Sequence, residues 1–131
     1  MATIFTKIIN GEIPCYKLAE DERYFAFLDI NPLARGHALV VPKVEVDYIF
    51  DLDPNVLTGL FEFSQRLAKA IESVVTCERI GVAVIGLEVP HAHVHLVPIN
   101  GIHDIDFSKP RVSMSPGEYV ELASEISGRF I

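Results

Sequence analysis

No uncharged apolar run in this 131-residue chain approaches the roughly 18 residues needed to span a bilayer, although 50% of its residues are hydrophobic. The opening MATIFTKIINGEIP has no basic stretch followed by a long apolar block, so no secretory leader is expected. Cysteine is scarce: Cys15 and Cys77 stand far apart, outside any Cys-x-x-Cys spacing, which excludes a disulfide framework and leaves a reducing, cytoplasmic home as the expectation. Basic residues form no cluster and the formal net charge is −7, which argues against nucleic acid or an anionic membrane as partner. A small phosphorylated ligand stays open, because a local pocket can be positive on an acidic protein. No repeat, low-complexity tract or linker interrupts the chain, and its length fits one domain over residues 1–131. Neither a Gly-x-Gly-x-x-Gly fingerprint nor a P-loop is present, so the usual glycine-rich nucleotide cradles are missing.

What is present reads as strands around one long helix. TIFTKIING is a short helix stopped at Asn10-Gly11. CYKLAE and RYFAFLDI, separated by acidic residues, read as a hairpin with an aromatic second strand. NPLARG is turn chemistry closed by Gly36, and HALVVP is a strand stopped by Pro42. In DPNVLTGLFEFSQRLAKAIESVV, Asp53 suits the N-cap and Pro54 the first helical position. Val56, Leu57, Leu60, Phe61, Leu67, Ala68, Ile71, Val74 and Val75 mark its expected buried face. RIGVAVIG and HVHLVPI read as two more strands. Ser115 and Glu118 form a capping box before a short helix, EYVELASEIS. The order predicts an α+β domain with a mostly antiparallel sheet, not the regular βαβ alternation of a dinucleotide-binding fold.

Three of the five histidines fall within PHAHVHLVPI. On a strand, His91, His93 and His95 share one face, while Ala92, Val94 and Leu96 share the other and suit packing against the long helix. Three chemistries compete for that row. A solvated strand face is the bland one, and three imidazoles in register weigh against it. A metal could take two of the rings plus His37, His103 or a carboxylate. All three converge poorly on one ion, since the outer Cα atoms of such a strand lie about 13 Å apart. An extended anion fits the spread better: a phosphate accepts several N–H donors while the middle ring, His93, attacks phosphorus.

PHAHVHLVP contains His-x-His-x-His followed by two apolar residues, the motif of the histidine triad (HIT) family. TIFTKIINGEIP and FAFLDINPLARGHALVVPK also resemble that family in order and spacing, so the resemblance covers roughly residues 3–99, nearest to its nucleoside phosphoramidase-type branch. It implies a HIT-like fold: a five-stranded antiparallel sheet with one long helix packed on it and short terminal helices. It implies a homodimer with one continuous sheet, a purine nucleotide such as AMP as ligand, and no cofactor. It further implies hydrolysis of a substituted nucleoside monophosphate through a nucleotidyl-His93 intermediate. By the same likeness His91 orients His93 by hydrogen bonding, His95 contacts the α-phosphate and assists the leaving group, and His37 lies near the phosphate. Asp29 would hold the ribose hydroxyls, and Ile4, Phe5, Ile8, Phe27 and Ile30 would form the slot for the base. Many relatives place an Asn and a Gly-Gln pair upstream of the triad as phosphate donors; here Leu87 stands in the Gln position and no Asn is found. Others begin a zinc site with Cys-x-x-Cys where this chain has Thr3 and Thr6, so no structural zinc is expected.

Overall fold

The computed structural model describes residues 2–131. Its elements run α1 (Ile4–Ile9), β1 (Lys17–Glu20), β2 (Tyr24–Leu28), β3 (Ala38–Pro42), a 3-10 turn (Ile49–Asp51), α2 (Pro54–Val74), β4 (Arg79–Ala83), β5 (Val94–Ile99) and α3 (Pro116–Arg129). All strand pairs are antiparallel, and the sheet order β1-β2-β3-β5-β4 leaves β1 and β4 at the edges. Among the described residues no helix is long and apolar enough to cross a membrane.

The caps expected from sequence hold both main helices. Asp53 accepts the Asn55 amide at 2.9 Å ahead of Pro54, and Ser115 and Glu118 exchange their two hydrogen bonds. Between β1 and β2, the Asp21 carboxylate accepts the amides of Arg23 and Tyr24, which turns the acidic segment into the predicted hairpin.

Two expectations about the helices change. On α2 the buried stripe is Leu60, Phe63, Ser64, Leu67, Ala70 and Ile71, whereas Phe61 points outward with 42% of its surface exposed. Ser64 breaks the apolar pattern in the sequence, yet its hydroxyl donates to the Leu60 carbonyl at 2.8 Å and so enters the core at little cost. Helix α3 has 14 residues and is not short. Its apolar face Tyr119, Leu122, Ala123 and Ile126 carries the helix on until Phe130 packs against Phe63, with ring centroids 5.1 Å apart.

The sheet is covered on both sides, which is why every residue of β2 and β3 is buried. One face presents Leu18, Ala26, Leu28, Val40, Val94 and Leu96 to α2 and α3. The other gathers Phe25, Phe27, Leu39 and Val41 around Phe5 of α1. Close approach matters at Gly59, where a Cβ would occupy the space taken by the Tyr24 hydroxyl, itself bonded to the Val56 carbonyl. The α2/α3 side is therefore solid core, and the histidines face the thin α1 side.

Candidate active site

Strand β5 begins only at Val94, so His95 alone of the three triad histidines lies in regular strand. His91 and His93 sit on the approach, which is held by Ala92 N–H to the Val46 carbonyl at 2.7 Å. This corrects the expectation of three rings on one strand. Their packing is still sequential: Phe5 contacts both His91 and His93, and the His93 and His95 centroids are 5.0 Å apart. All three rings are buried, as is His37.

Hydrogen-bond partners set the proton positions. The Nδ1 of His93 lies 2.7 Å from the His91 carbonyl, which can only accept, so Nδ1 carries the proton and Nε2 is left with its lone pair. The orienting group that His91 offers is thus its backbone oxygen, not its ring. A second chain runs from a backbone amide. Leu33 N–H donates to His37 Nδ1 at 2.9 Å, so the proton of a neutral His37 is on Nε2. That Nε2–H points to His95 Nδ1 at 3.0 Å, which leaves the His95 proton on Nε2. Gly36, at φ 97, closes the turn that brings Leu33 and His37 together. Among the described residues no buried side-chain nitrogen or oxygen lacks a partner, so the two unpartnered Nε2 atoms open to solvent. His93 offers a lone pair there and His95 a donor.

Burial dominates the titration of His37, His93 and His95. It lowers His37 to about 4 against the opposing pull of Asp29, and His95 to about 3 with help from its neighbours His93, His37 and Arg111. The His93 ring is also held low, chiefly by burial, with the His91 carbonyl opposing. In the unfolded chain such rings take up a proton near pH 6.5. Between that pH and the folded values the unfolded state binds more protons, so stability drops as the solution is acidified. We expect a loss of about 1.4 kcal/mol per pH unit for each ring that stays neutral. Urea unfolding at pH 7, 6 and 5 checks this above the carboxylate range, and a flat profile would contradict the buried neutral rings.

His91 is tied to the first helix. Its Nε2 donates to the Pro42 carbonyl at 2.7 Å, so the Thr3 hydroxyl donates to Nδ1 at 2.8 Å. Thr3 caps α1 by accepting the Thr6 amide, while Thr6 Oγ1 and the Thr3 amide both donate to Glu45 Oε1, at 2.6 and 2.7 Å. Neutral hydroxyls already engaged in hydrogen bonds are poor zinc ligands, so the group that the Cys-x-x-Cys of some relatives would hold does not fit here. Asp29, His37 and His95 also bring potential ligand atoms within 4.8 Å of one another. A metal on His37 Nε2 would force the ring proton onto Nδ1, against the Leu33 N–H, so that set fits poorly too. Thr3→Val should lower kcat about tenfold and stability by about 1 kcal/mol through the lost cap. Thr3→Ser should restore both; an unchanged kcat in the valine variant would detach this cluster from the site.

The triad opens onto a cavity of about 460 Å³, within the range of small-molecule sites. Phe5 and Phe27 make an apolar floor with rings 5.6 Å apart, and Ile4, Ile8 and Ile30 complete the wall. Asp29, His93 and His95 line the cavity, while His37 and His91 stand behind it. His37 therefore reaches a ligand only through His95. Asp29 divides its carboxylate: Oδ1 accepts the Asn31 amide at 2.8 Å and Oδ2 lies 3.5 Å from His37 Nε2. His103 is not part of the cavity lining.

Two further cavity residues went unnoticed in the sequence, Phe107 and Arg111. Phe107 packs on His95 with centroids 4.9 Å apart, and the segment is pinned by Val112 N–H to the Pro32 carbonyl. Residues 100–115 have no helix or strand, so no periodicity could have announced them.

Residues 10–101 match the family model described as HIT domain. An adenosine 5′-monophosphoramidase of Schizosaccharomyces pombe is 35% identical over 132 residues, covering 98% of both chains. Another adenosine 5′-monophosphoramidase, from Saccharomyces cerevisiae, is 41% identical over 99 residues, or 74% of this chain and 62% of that one. A zinc-bound histidine triad family protein of Mycobacterium smegmatis superposes with a TM-score of 0.83 at 28% identity, covering 98% of this chain and 94% of the other.

Proposed function

This chain belongs to the HIT domain family, and we propose that it hydrolyses nucleoside 5′-phosphoramidates or related substituted nucleoside monophosphates, without a metal, through a nucleotidyl-His93 intermediate. The observation that carries this reading is the His93 ring itself, whose Nδ1–H is engaged by a carbonyl while its lone pair opens onto an apolar-floored cavity. The base of a purine nucleotide such as AMP lies over Phe5 and Phe27, and its ribose meets Asp29. His93 Nε2 bonds to the α-phosphorus, and the bond from phosphorus to the leaving nitrogen breaks. The leaving group departs as an amine protonated from solvent. The His91 carbonyl, still holding Nδ1–H, favours the cationic nucleotidyl-imidazolium, and His95 Nε2–H donates to the oxygens that gather charge. Water then attacks phosphorus, the bond to His93 breaks, and AMP leaves with the ring neutral again.

Residues 1–131 form one HIT domain in this reading, and two copies join sheet to sheet. Edge strand β4, whose Val82 is 53% exposed, supplies a surface for that pairing. Incubating the purified protein with adenosine 5′-phosphoramidate in excess chelator should release AMP. No release, or release only with added metal, would sink the proposal.

Leu87 favours a second reading. It is 89% exposed at the cavity and cannot donate a hydrogen bond to phosphate. A nucleotide-binding regulator with weak catalysis would bind AMP yet leave phosphoramidates and dinucleoside polyphosphates uncleaved.

A further inference from the structure

Arg111 is the one Lys or Arg among the residues that line the cavity. Its guanidinium is fixed by neutral groups: NH1 donates to the Asn31 carbonyl at 2.8 Å, NH2 to the Phe107 carbonyl at 3.2 Å, and its carbon lies 5.4 Å from the Phe107 ring centroid. Among the described residues it has no carboxylate within ion-pair distance. No salt bridge therefore pairs its charge, and the carboxylates of Asp29 and Glu88 in the same lining lie beyond that distance from it. Two of its five N–H donors are used by the carbonyls, which leaves three for a ligand. Contacts lead from the proposed nucleophile to this cation through His95 and Phe107, with centres 5.0, 4.9 and 5.4 Å apart in turn.

We infer that Arg111 is a specificity-determining residue that selects nucleoside monophosphates whose α-phosphorus carries an anionic substituent, such as sulfate or a further phosphate, over those carrying an amine. This rests on the nucleotide hydrolase reading above and names the class of leaving group for it. The chemistry of departure separates the two classes. An amine must gain a proton as its bond to phosphorus breaks, and a fixed cation beside it gives no help. A sulfate or phosphate leaves with the electron pair of the broken phosphorus–oxygen bond and needs no proton, so its growing negative charge is stabilised by a guanidinium. Mounting on two carbonyls and a ring face restricts the Arg111 guanidinium before substrate arrives, so little ordering is required at binding.

The test compares adenosine 5′-phosphosulfate with adenosine 5′-phosphoramidate in the wild type, Arg111→Gln and Arg111→Lys, with thermal unfolding to show that each variant is folded. Arg111→Gln should lower kcat/KM for the phosphosulfate by about 10- to 100-fold while changing the phosphoramidate value less than about threefold. Arg111→Lys should recover part of the loss. Equal losses on both substrates, or no loss on the phosphosulfate, would overturn the assignment. Binding is read separately by calorimetry with AMP and with α,β-methylene-ADP, whose bridge cannot be cleaved: the wild type should prefer the diphosphate analogue, and Arg111→Gln should erase that preference. A wild type that cleaves neither substrate yet keeps this Arg111-dependent preference sinks the hydrolase reading and sustains the charge assignment. A ratio of α,β-methylene-ADP to AMP affinity unaffected by Arg111→Gln overturns it.

Discussion

His93→Ala is expected to reduce turnover of adenosine 5′-phosphoramidate by about 10⁴- to 10⁶-fold, with AMP still bound. The size follows from the role proposed for His93 as nucleophile. A nucleophile that forms the intermediate has no substitute within reach: His91 has both ring nitrogens engaged, and His95 Nε2 carries a proton where an attacking atom needs a lone pair. Nucleotide affinity should survive because the floor of Phe5 and Phe27 and the carboxylate of Asp29 remain. Quenching the wild-type reaction in alkali and mapping the adduct by mass spectrometry should place a nucleotidyl group on His93. An adduct on another residue, or a His93→Ala protein that keeps a hundredth of its activity, would reject the mechanism.

The second large effect belongs to a residue that touches no ligand. His37→Leu should lower kcat by about 10²- to 10⁴-fold with KM little changed, the scale on which a misdirected histidine proton is felt in other enzymes. His37 passes the polarity of the Leu33 amide to His95, and without it His95 is free to hold its proton on Nδ1 and turn a lone pair toward the phosphate. His37→Gln is the discriminating control. A side-chain amide can accept from Leu33 N–H and donate to His95 Nδ1, so part of the rate should return. Equal loss in both variants would mean that the ring only fills space. The assay belongs near neutral pH, where burial keeps both rings uncharged.

The contrast between those residues shows where sequence reasoning stops. His93 stood out in the sequence because its neighbours in the motif are its neighbours in space. The caps of α2 and α3, the hairpin at Asp21 and the turn before His37 were legible for the same reason, each being set by residues within about four positions. Phe63 is buried and Phe61 exposed, against the apolar pattern, because Ser64 interrupts the stripe in sequence and joins the core only through its hydrogen bond to the Leu60 carbonyl. The likeness to the HIT family carried the choice of Asp29 and the base slot, which no local pattern marks.

Which proton sits on which ring was decided only by contacts between distant parts of the chain. Thr3 meets His91 across 88 positions, His37 meets His95 across 58, and Arg111 reaches Asn31 across 80. Local propensity and capping act over one helical turn and are written in neighbouring residues. The direction of a hydrogen bond inside a buried site depends on which donor the fold brings opposite which acceptor. The sequence by itself determined the set of histidines and the elements that carry them; the tertiary structure made His93 a lone pair, His95 a donor and Arg111 an unpaired charge.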